Sequence, residues 1–272
     1  MSVIDSETYI LGTERAELFR LGLQHQVWAE EARTGWRHAG FGAGDKLLDL
    51  GCGPGFCTQD LGYIVGPAGR VIAVDRSQAF IEFCRQSSTL HGLPVDCIAS
   101  TFDDMKLADG DLDGAYCRWA LAWVANPEAV LGKVAAALRP GGTFVCHEYF
   151  DWKTFQTEPA HPELDSAIAA ALQSFKQSAG DIDIGRRLPA LFGQAGLEVV
   201  STRPMTKLVR PGDFAWQWPA SFFEVYFPKV VDAGLMSAET CQTALAQWKA
   251  LEQTAGASCM CPQMIEVIGR RL

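Results

Sequence analysis

Short apolar runs alternate with longer segments of mixed polarity through most of the chain. The runs cover residues 46–50, 70–75, 112–117 and 143–149, and glycine, proline or polar residues bound them. Runs of this length are typical of strands that are buried on both faces of a parallel sheet. Because the segments between them suit helices, the pattern predicts an α/β fold in which strands and helices alternate.

Specific residues mark the ends of the intervening helices. Ser77 is the predicted N-cap of a helix that runs through His91. Asn126 and Pro127 predict the N-cap and the first position of a later helix. The sequence Leu-Arg-Pro-Gly-Gly at residues 138–142 is expected to end that helix before the next strand begins.

Three glycines follow the first apolar run directly. Gly51, Gly53 and Gly55 permit a sharp turn and a close approach of a ligand to the backbone. Their spacing differs from the Gly-x-Gly-x-x-Gly fingerprint of dinucleotide-binding proteins, because Phe56 stands where the third glycine would be. The loop therefore favours a nucleotide-like ligand other than NAD, and a tight turn without a ligand is the alternative.

The second apolar run ends in the carboxylate of Asp75. An acid at the carboxyl end of the second strand can accept hydrogen bonds from both hydroxyls of a ribose. The alternative is a solvated acid at the end of a strand, with no ligand.

Residues 48–55, Asp75 and residues 138–142 together resemble the class I S-adenosylmethionine-dependent methyltransferases. Within that family, the sequence is most similar to the small-molecule group related to the ubiquinone/menaquinone C-methyltransferases. The resemblance covers about residues 40–202 and the last strand. It implies a doubly wound, mostly parallel sheet of seven strands with a Rossmann-like arrangement.

The resemblance also implies roles for individual residues. The glycine loop would pass beneath the methionine part of S-adenosylmethionine, the acid of the second strand would bind the ribose, and the loop after the third strand would hold the adenine. The residues at these places are, in that order, Asp49, Gly51, Cys52, Gly53 and Gly55, then Asp75 with Arg76, then Thr101 and Phe102. The family often has an aspartate where Thr101 stands, so Asp103 is an alternative for the adenine contact.

Two further segments match parts of relatives that surround the cofactor. The stretch containing Arg118 corresponds to one that lies along the methionine, although Trp119 within it also suits a core position. The N-terminal Tyr9 and the helix with Arg20 and Gln24 resemble a segment that closes over the cofactor, where a glutamine meets the carboxylate.

The length of the chain predicts one enlarged domain over residues 1–272, and one domain with a cap is the alternative. Its core would comprise about residues 40–202 and 262–272, with a sixth strand at 197–201 and a final antiparallel strand at 264–269. Residues 203–258 would then form an insertion before the last strand. A connection of this length normally has structure of its own and a function.

The insertion is dense in aromatic residues. Trp218, Phe222, Phe223 and Tyr226 recur at helical spacing, and a second helix is expected from about Ser237 to Gln253. We expect a helical lid built from about residues 150–185 and 203–258, with the N-terminal helix alongside. Some of its rings would line an apolar acceptor pocket, whereas the alternative is that they pack the insertion onto the sheet.

Methyl transfer from a sulfonium is an in-line displacement that depends mainly on positioning and needs no dedicated nucleophile. Whether a base is needed depends on the acceptor. His147, Glu148 and Tyr149, at the end of the fifth strand, are the residues to test as base or orienter. Because strand side chains alternate, His147 and Tyr149 share one face and Glu148 lies on the other. Packing is the alternative role for His147, so no catalytic residue is assigned.

Composition narrows the possible partners. The 272 residues are 48% hydrophobic and 20% charged, without an apolar stretch that predicts membrane insertion or a secretory signal. The nine cysteines are scattered and lack metal-binding spacing, which indicates a reducing, cytoplasmic location and no metal. A net charge of −9 argues against nucleic acid. A small apolar or aromatic acceptor is expected, and the sequence does not indicate an oligomeric state.

Two other functions remain open. A NAD(P)-dependent oxidoreductase would also use glycines after the first strand and an acid after the second, although Phe56 disfavours it. A non-catalytic module could bind S-adenosylmethionine, or a protein partner through the aromatic insertion, because turnover and binding use the same motifs.

Overall fold

A computed structural model describes residues 15–177 and 180–272. Within these ranges the chain divides into two compact units. The first, called here the sheet unit, comprises residues 28–152, 180–206 and 262–272. The second, called here the helical unit, comprises residues 15–27, 153–177 and 207–261. Helix α1, Arg15–Ala39, contributes residues to both.

The sheet unit is built on one seven-stranded sheet. Its strands are β1 Lys46–Leu50, β2 Arg70–Asp75, β3 Val95–Ala99, β4 Leu112–Arg118, β5 Leu138–Asp151, β7 Leu197–Met205 and β10 Gln263–Arg271. They lie in the order β3-β2-β1-β4-β5-β10-β7. The pairs β1–β2, β2–β3, β1–β4 and β4–β5 are parallel, whereas β10 is antiparallel to both β5 and β7. The predicted α/β, mostly parallel sheet of seven strands is therefore confirmed.

Helices connect the parallel strands and cover both faces of the sheet. They are α2 Phe56–Val65, α3 Gln78–Leu90, α4 Pro127–Ala137 and α6 Leu188–Gln194. The side chains of α4 and α6 pack with Phe144 and Val267 on one face. On the other face, α1 and α2 pack with Leu47 and Tyr116. Because helices bury both faces of the sheet, the sequences of its strands are almost continuously apolar.

The predicted helix caps are present. The Ser77 hydroxyl accepts a hydrogen bond from the backbone N–H of Phe80 at 3.3 Å, and the Asn126 side chain accepts one from Ala129 at 3.1 Å. The fifth strand begins earlier than the sequence predicts, at Leu138 rather than at residue 143. The reason is that Leu138 already pairs with Leu112 of β4, so the Pro-Gly-Gly residues form an irregularity within the strand.

A row of polar side chains crosses the sheet beneath α1; two of them, His147 and Glu266, are buried, and Arg203 is half-buried. His147 of β5 pairs in register with Glu266 of β10, which pairs with Arg203 of β7. His147 Nε2 lies 2.8 Å from Glu266 Oε2, and Arg203 donates to both carboxylate oxygens at 2.9 and 2.8 Å. Gly35 lets α1 approach this row, because a Cβ there would collide with Glu266 Oε2 and lie 3.1 Å from His147 Nε2. We call these three side chains the polar row.

The helical unit consists of the first part of α1, helices α5 Pro162–Lys176, α7 Gln217–Asp232 and α8 Ala238–Leu251, and a small sheet. In that sheet, β9 Ser258–Met260 lies between β6 Gln156–Glu158 and β8 Leu208–Val209 and is antiparallel to both. Ser237 caps α8, so the helix predicted from about Ser237 to Gln253 is present with slightly shorter bounds.

Aromatic rings form the core of the helical unit. Trp216 stacks on Trp248 at 4.3 Å, and Phe223 stacks on Phe227 at 4.8 Å. The Tyr226 hydroxyl lies 2.7 Å from the Ser174 hydroxyl. Most rings of the predicted insertion are therefore buried among each other, and the prediction of an acceptor-binding lid stays a prediction.

Candidate functional site

The glycine loop between β1 and α2 has a backbone that other residues rarely adopt. The φ angles of Gly51, Gly53 and Gly55 are 72°, 54° and 87°, within the left-handed region that favours glycine. The backbone N–H groups of Gly51 and Cys52 both donate to the carbonyl of Val74, at 2.8 and 3.0 Å. These bonds fix the turn at the carboxyl ends of β1 and β2, the edge where parallel α/β sheets bind ligands.

Other loops pack closely against two of the glycines. A Cβ on Gly51 would collide with the Cβ of Ala120 and lie 3.4 Å from the Phe102 ring, and a Cβ on Gly55 would collide with the Cys84 sulfur. In contrast, no atom of the described residues lies within 4 Å of a Cβ built on Gly53. The loop is thus held at both ends and has space beside its middle, as a loop that passes beneath a ligand requires.

Asp75 connects this loop to the end of β2. Its Oδ2 accepts a hydrogen bond from the Gly53 N–H at 3.0 Å, and its Oδ1 accepts one from the Ser77 N–H at 2.8 Å. Burial raises the pKa of the Asp75 carboxyl group, although these backbone hydrogen bonds and the charge of Arg76 oppose the shift. Arg76 itself is exposed. A carboxylate that is half-buried beside the open part of the loop is well placed for a ribose.

Asp49 lies beneath the loop and is only 2% exposed. Its Oδ2 accepts a hydrogen bond from the Thr58 hydroxyl at 2.6 Å. Burial raises the pKa of Asp49 to about 7, although the Thr58 hydrogen bond and the positive charge of Arg118 oppose the shift. A carboxylate with a raised pKa close to a ligand loop is a typical feature of functional sites.

The predicted adenine residues differ in what they contact. Phe102 lies against the glycine loop at Gly51. Thr101 instead forms a local turn, because its hydroxyl donates to Asp104 Oδ2 at 2.8 Å and accepts from the Asp104 N–H at 3.1 Å. Asp103, the alternative, is exposed. Its carbonyl, like that of Phe102, accepts a hydrogen bond from the Lys133 ammonium group.

Aromatic residues cluster where β4 and β5 end. Trp119 has a φ of 53°, an unusual value for a residue with a bulky side chain. Its ring stacks on Tyr149 at 5.6 Å and meets the edge of Trp28 at 5.9 Å. Tyr149 also packs on Trp152 at 5.0 Å, and the Arg118 guanidinium lies 5.0 Å from the centre of the Trp119 ring. The result is an apolar cluster beside the loop that follows β4.

His147 is 1% exposed and is hydrogen-bonded to Glu266 within the polar row. Because an ionised Glu266 can only accept, His147 Nε2 is the donor of their bond, and Nδ1 faces the Tyr116 hydroxyl at 3.3 Å. Burial lowers the pKa of His147, although Glu266 opposes the shift. The sequence analysis did not identify Glu266 and Arg203 as functional or structural partners of His147. The only signal in the sequence was a charged residue within the apolar strand β10 and within the alternating strand β7.

Gln24 and Tyr9 are two further predicted cofactor residues. Gln24 lies in the helical unit, where its Oε1 accepts hydrogen bonds from Arg20 at 2.9 Å and from the Trp218 indole at 3.1 Å. Its predicted contact with the cofactor stays a prediction. Tyr9 lies outside the described residues.

Within the described part of the chain, one group of side chains has the spacing of metal ligands. A carboxylate oxygen of Glu148 and the sulfurs of Cys117 and Cys146 all lie within 4.8 Å of one another, and all three residues are buried. No helix in the described ranges has the length and apolar character needed to cross a membrane.

Part of the chain matches a known family model. The model of the methyltransferase domain family matches residues 48–146, which include the glycine loop, Asp75 and the loop after β4. Over 175 residues, the chain is 34% identical to an uncharacterized 37.1 kDa protein in a transposon of Streptomyces fradiae, covering 64% of this chain and 49% of that protein.

A second relative is the demethylmenaquinone methyltransferase of Symbiobacterium thermophilum. It is 31% identical over 150 residues, which cover 48% of this chain and 57% of that enzyme. The chain thus spans about half of the length of these two relatives.

Among solved structures, the geranyl diphosphate C-methyltransferase of Streptomyces coelicolor has a similar fold. The TM-score is 0.55 at 14% identity, over 91% of this chain and 77% of that one. At this identity the comparison concerns the fold alone.

Proposed function

We propose that the chain is a class I S-adenosylmethionine-dependent methyltransferase, and that it transfers the methyl group of S-adenosylmethionine to a small apolar or aromatic acceptor. The observation that carries this proposal is the glycine loop, which Asp75 binds through the Gly53 N–H and which has space beside Gly53. S-Adenosylhomocysteine is the expected product.

The residues around the loop suit the parts of this cofactor. The backbone of Gly51, Gly53 and Gly55 would lie beneath the methionine part, and Asp75 would accept hydrogen bonds from the ribose. Phe102 offers an apolar ring to the adenine, whereas Thr101 is a weaker candidate because Asp104 occupies its hydroxyl. The bound cofactor supplies an electrophilic methyl group on a sulfonium.

The protein's own contribution is to hold the reactants and to exclude water. Holding two reactants in line can lower a barrier by about 7 to 11 kcal/mol, which is a large part of what a methyl transfer needs. His147 is a poor base here, because the Tyr116 hydroxyl and the Glu266 carboxylate face both of its ring nitrogens. We therefore propose no general base for the reaction.

The acceptor class is inferred from the aromatic cluster of Trp119, Tyr149 and Trp152 at the carboxyl edge of the sheet. Such rings favour flat, apolar molecules. A relative named as a demethylmenaquinone methyltransferase supports the same class. All nine cysteines are free thiols, which is in keeping with a reducing compartment such as the cytoplasm.

Thermal unfolding with S-adenosylhomocysteine, S-adenosylmethionine or NADH tests the cofactor. A ligand at about 100 times its Kd adds roughly 2.7 kcal/mol, which raises the Tm of a chain of this size by about 5 to 10 °C. Both adenosyl compounds should stabilise the protein, NADH should not, and Asp75→Ala should abolish the effect. The matched control is Asp96→Ala on β3, since Asp96 forms an ion pair with exposed Arg70 at the surface.

Release of S-adenosylhomocysteine in the presence of hydroxylated aromatic and quinol acceptors then tests turnover. Binding without turnover on any acceptor would favour a non-catalytic module. Stabilisation by NADH alone would favour an oxidoreductase, and no stabilisation by the adenosyl compounds would refute the proposal.

A further inference from the structure

The loop after β4 adopts a constrained conformation next to the glycine loop. It turns at Trp119, where φ is 53°, and continues into a short 3-10 turn, Leu121–Trp123. Between these two features, Ala120 packs so closely on Gly51 that a Cβ on the glycine would collide with it. The position of the glycine loop therefore depends on the position of residues 119–123.

A buried carboxyl group from β5 holds this loop. Glu148 is 0% exposed, and its Oε1 accepts a hydrogen bond from the Leu121 N–H at 2.8 Å. The amides of Ala122 and Ala120 also act favourably on the carboxylate. Glu148 thus binds the start of the 3-10 turn, where backbone N–H groups lack partners within the turn.

The second carboxyl oxygen has different surroundings. Among the described residues, Glu148 Oε2 has no hydrogen-bond partner. Burial raises the pKa of Glu148 to about 8, although the three backbone amides oppose the shift. A neutral carboxyl group with one accepting oxygen is therefore sufficient to bind the backbone amides of the loop at pH 7. Glutamine has the same shape and would keep that accepting oxygen.

We propose that Glu148 is a positioning residue for cofactor binding: its carboxyl group holds residues 119–123 against Gly51 and so maintains the glycine loop in the shape that receives S-adenosylmethionine. The inference rests on the proposed function. The competing interpretation is a metal centre formed by Glu148, Cys117 and Cys146. We favour positioning, because the carboxyl group already binds backbone amides and both cysteines belong to a core cluster of apolar side chains.

The test measures the Kd of S-adenosylhomocysteine by calorimetry for the wild type, Glu148→Gln and Glu148→Ala. The wild-type protein must bind first, and its failure to bind would count against the proposed function rather than against Glu148. Given binding, we expect Glu148→Ala to raise the Kd at least tenfold and Glu148→Gln to stay within about threefold of the wild type. These limits correspond to about 1.4 and 0.6 kcal/mol.

A matched variant separates positioning from general loss of stability. Val145→Ala removes a buried side chain of the same strand that packs with the α1 and α2 cluster on the opposite face. It should lower the Tm while leaving the Kd unchanged. If Glu148→Ala does not fold, Glu148→Asp shortens the side chain by one methylene and should raise the Kd in the same direction.

Cys146→Ala and metal analysis of the purified protein address the competing interpretation. Under the proposal, Cys146→Ala binds S-adenosylhomocysteine like the wild type. Three results would overturn the proposal: an unchanged Kd in the alanine and aspartate variants, a glutamine variant as weak as the alanine variant, or a stoichiometric metal ion that Glu148→Gln and Cys146→Ala both lose.

Discussion

Replacing Glu266 by glutamine is the sharpest test of how the sheet holds α1. Glu266 is 0% exposed and accepts hydrogen bonds from His147 and, at both oxygens, from Arg203. Glutamine keeps the shape and one acceptor, but it puts an amide N–H₂ group against a donor and removes the charge that pairs with Arg203. Removal of the Glu266 charge leaves the half-buried Arg203 guanidinium without its carboxylate partner.

The magnitude follows from the ionisation of Glu266. Burial alone would raise its pKa, but hydrogen bonds from His147 and Arg203 outweigh burial and lower the pKa to about 2, against 4.5 in an unfolded chain. This difference corresponds to about 3 kcal/mol of stability. Because the folded pKa is the lower one, that stability is present above about pH 5 and is lost as the pH falls towards 2.

Thermal unfolding between pH 3 and 8 provides the assay. At pH 7, Glu266→Gln should lower the Tm by about 5 to 10 °C. Below about pH 5, the Tm of this variant should fall less steeply with decreasing pH than the Tm of the wild type. Glu82→Gln is the control, because Glu82 forms an exposed pair with Arg85 within α3 and such pairs contribute little. A Tm at pH 7 equal to that of the wild type, with the same loss towards acid, would refute the reasoning.

Two further predictions concern Gly35 and Asp49. Gly35→Ala should destabilise the protein despite the better helix propensity of alanine, because the added Cβ collides with Glu266. The control is Gly132→Ala in α4, where no neighbouring described residue outside the helix backbone lies within 4 Å of the added Cβ. It should be neutral or stabilising by up to about 1 kcal/mol. Chemical denaturation of the two variants measures the difference, and equal effects would contradict the collision. For Asp49, a pKa raised from 3.8 to about 7 means that the ligand-free protein loses stability as the pH rises from 4 to 7. Asp49→Asn should therefore have a higher Tm than the wild type at pH 8, and a lower one would show that the ionised carboxylate stabilises the fold.

Local features of the fold were predictable from the sequence, and contacts between distant segments were not. Ser77 and Asn126 cap their helices as predicted, since capping depends on only a few neighbouring residues. The polar row joins strands β5, β10 and β7, and its ion pair spans 63 residues of sequence. Nothing near Glu266 in the sequence shows that His147 and Arg203 flank it. The site divides in the same way, because the loop pattern predicts the glycines and Asp75, whereas the support from Glu148 depends on strand pairing.

The buried acids of the sheet unit separate into two kinds by their partners. Glu266 is hydrogen-bonded to a cation, so its pKa is lowered to about 2 and its ionisation stabilises the fold. Among the described residues, Asp49 accepts a hydrogen bond only from a hydroxyl group and Glu148 only from backbone amides, and burial raises their pKa values to about 7 and about 8.

When the ionisation of an acid lowers stability near neutral pH, an uncharged residue at that position would stabilise the ligand-free fold at least as well. Both such acids lie at the carboxyl edge of the sheet, beside or behind the glycine loop, whereas Glu266 lies beneath α1. Under the proposed function, ligand binding accounts for Asp49 and Glu148, whereas stability of the fold accounts for Glu266. It follows that neutral replacements should change stability in opposite directions at pH 8: a gain for Asp49→Asn and Glu148→Gln, and a loss for Glu266→Gln.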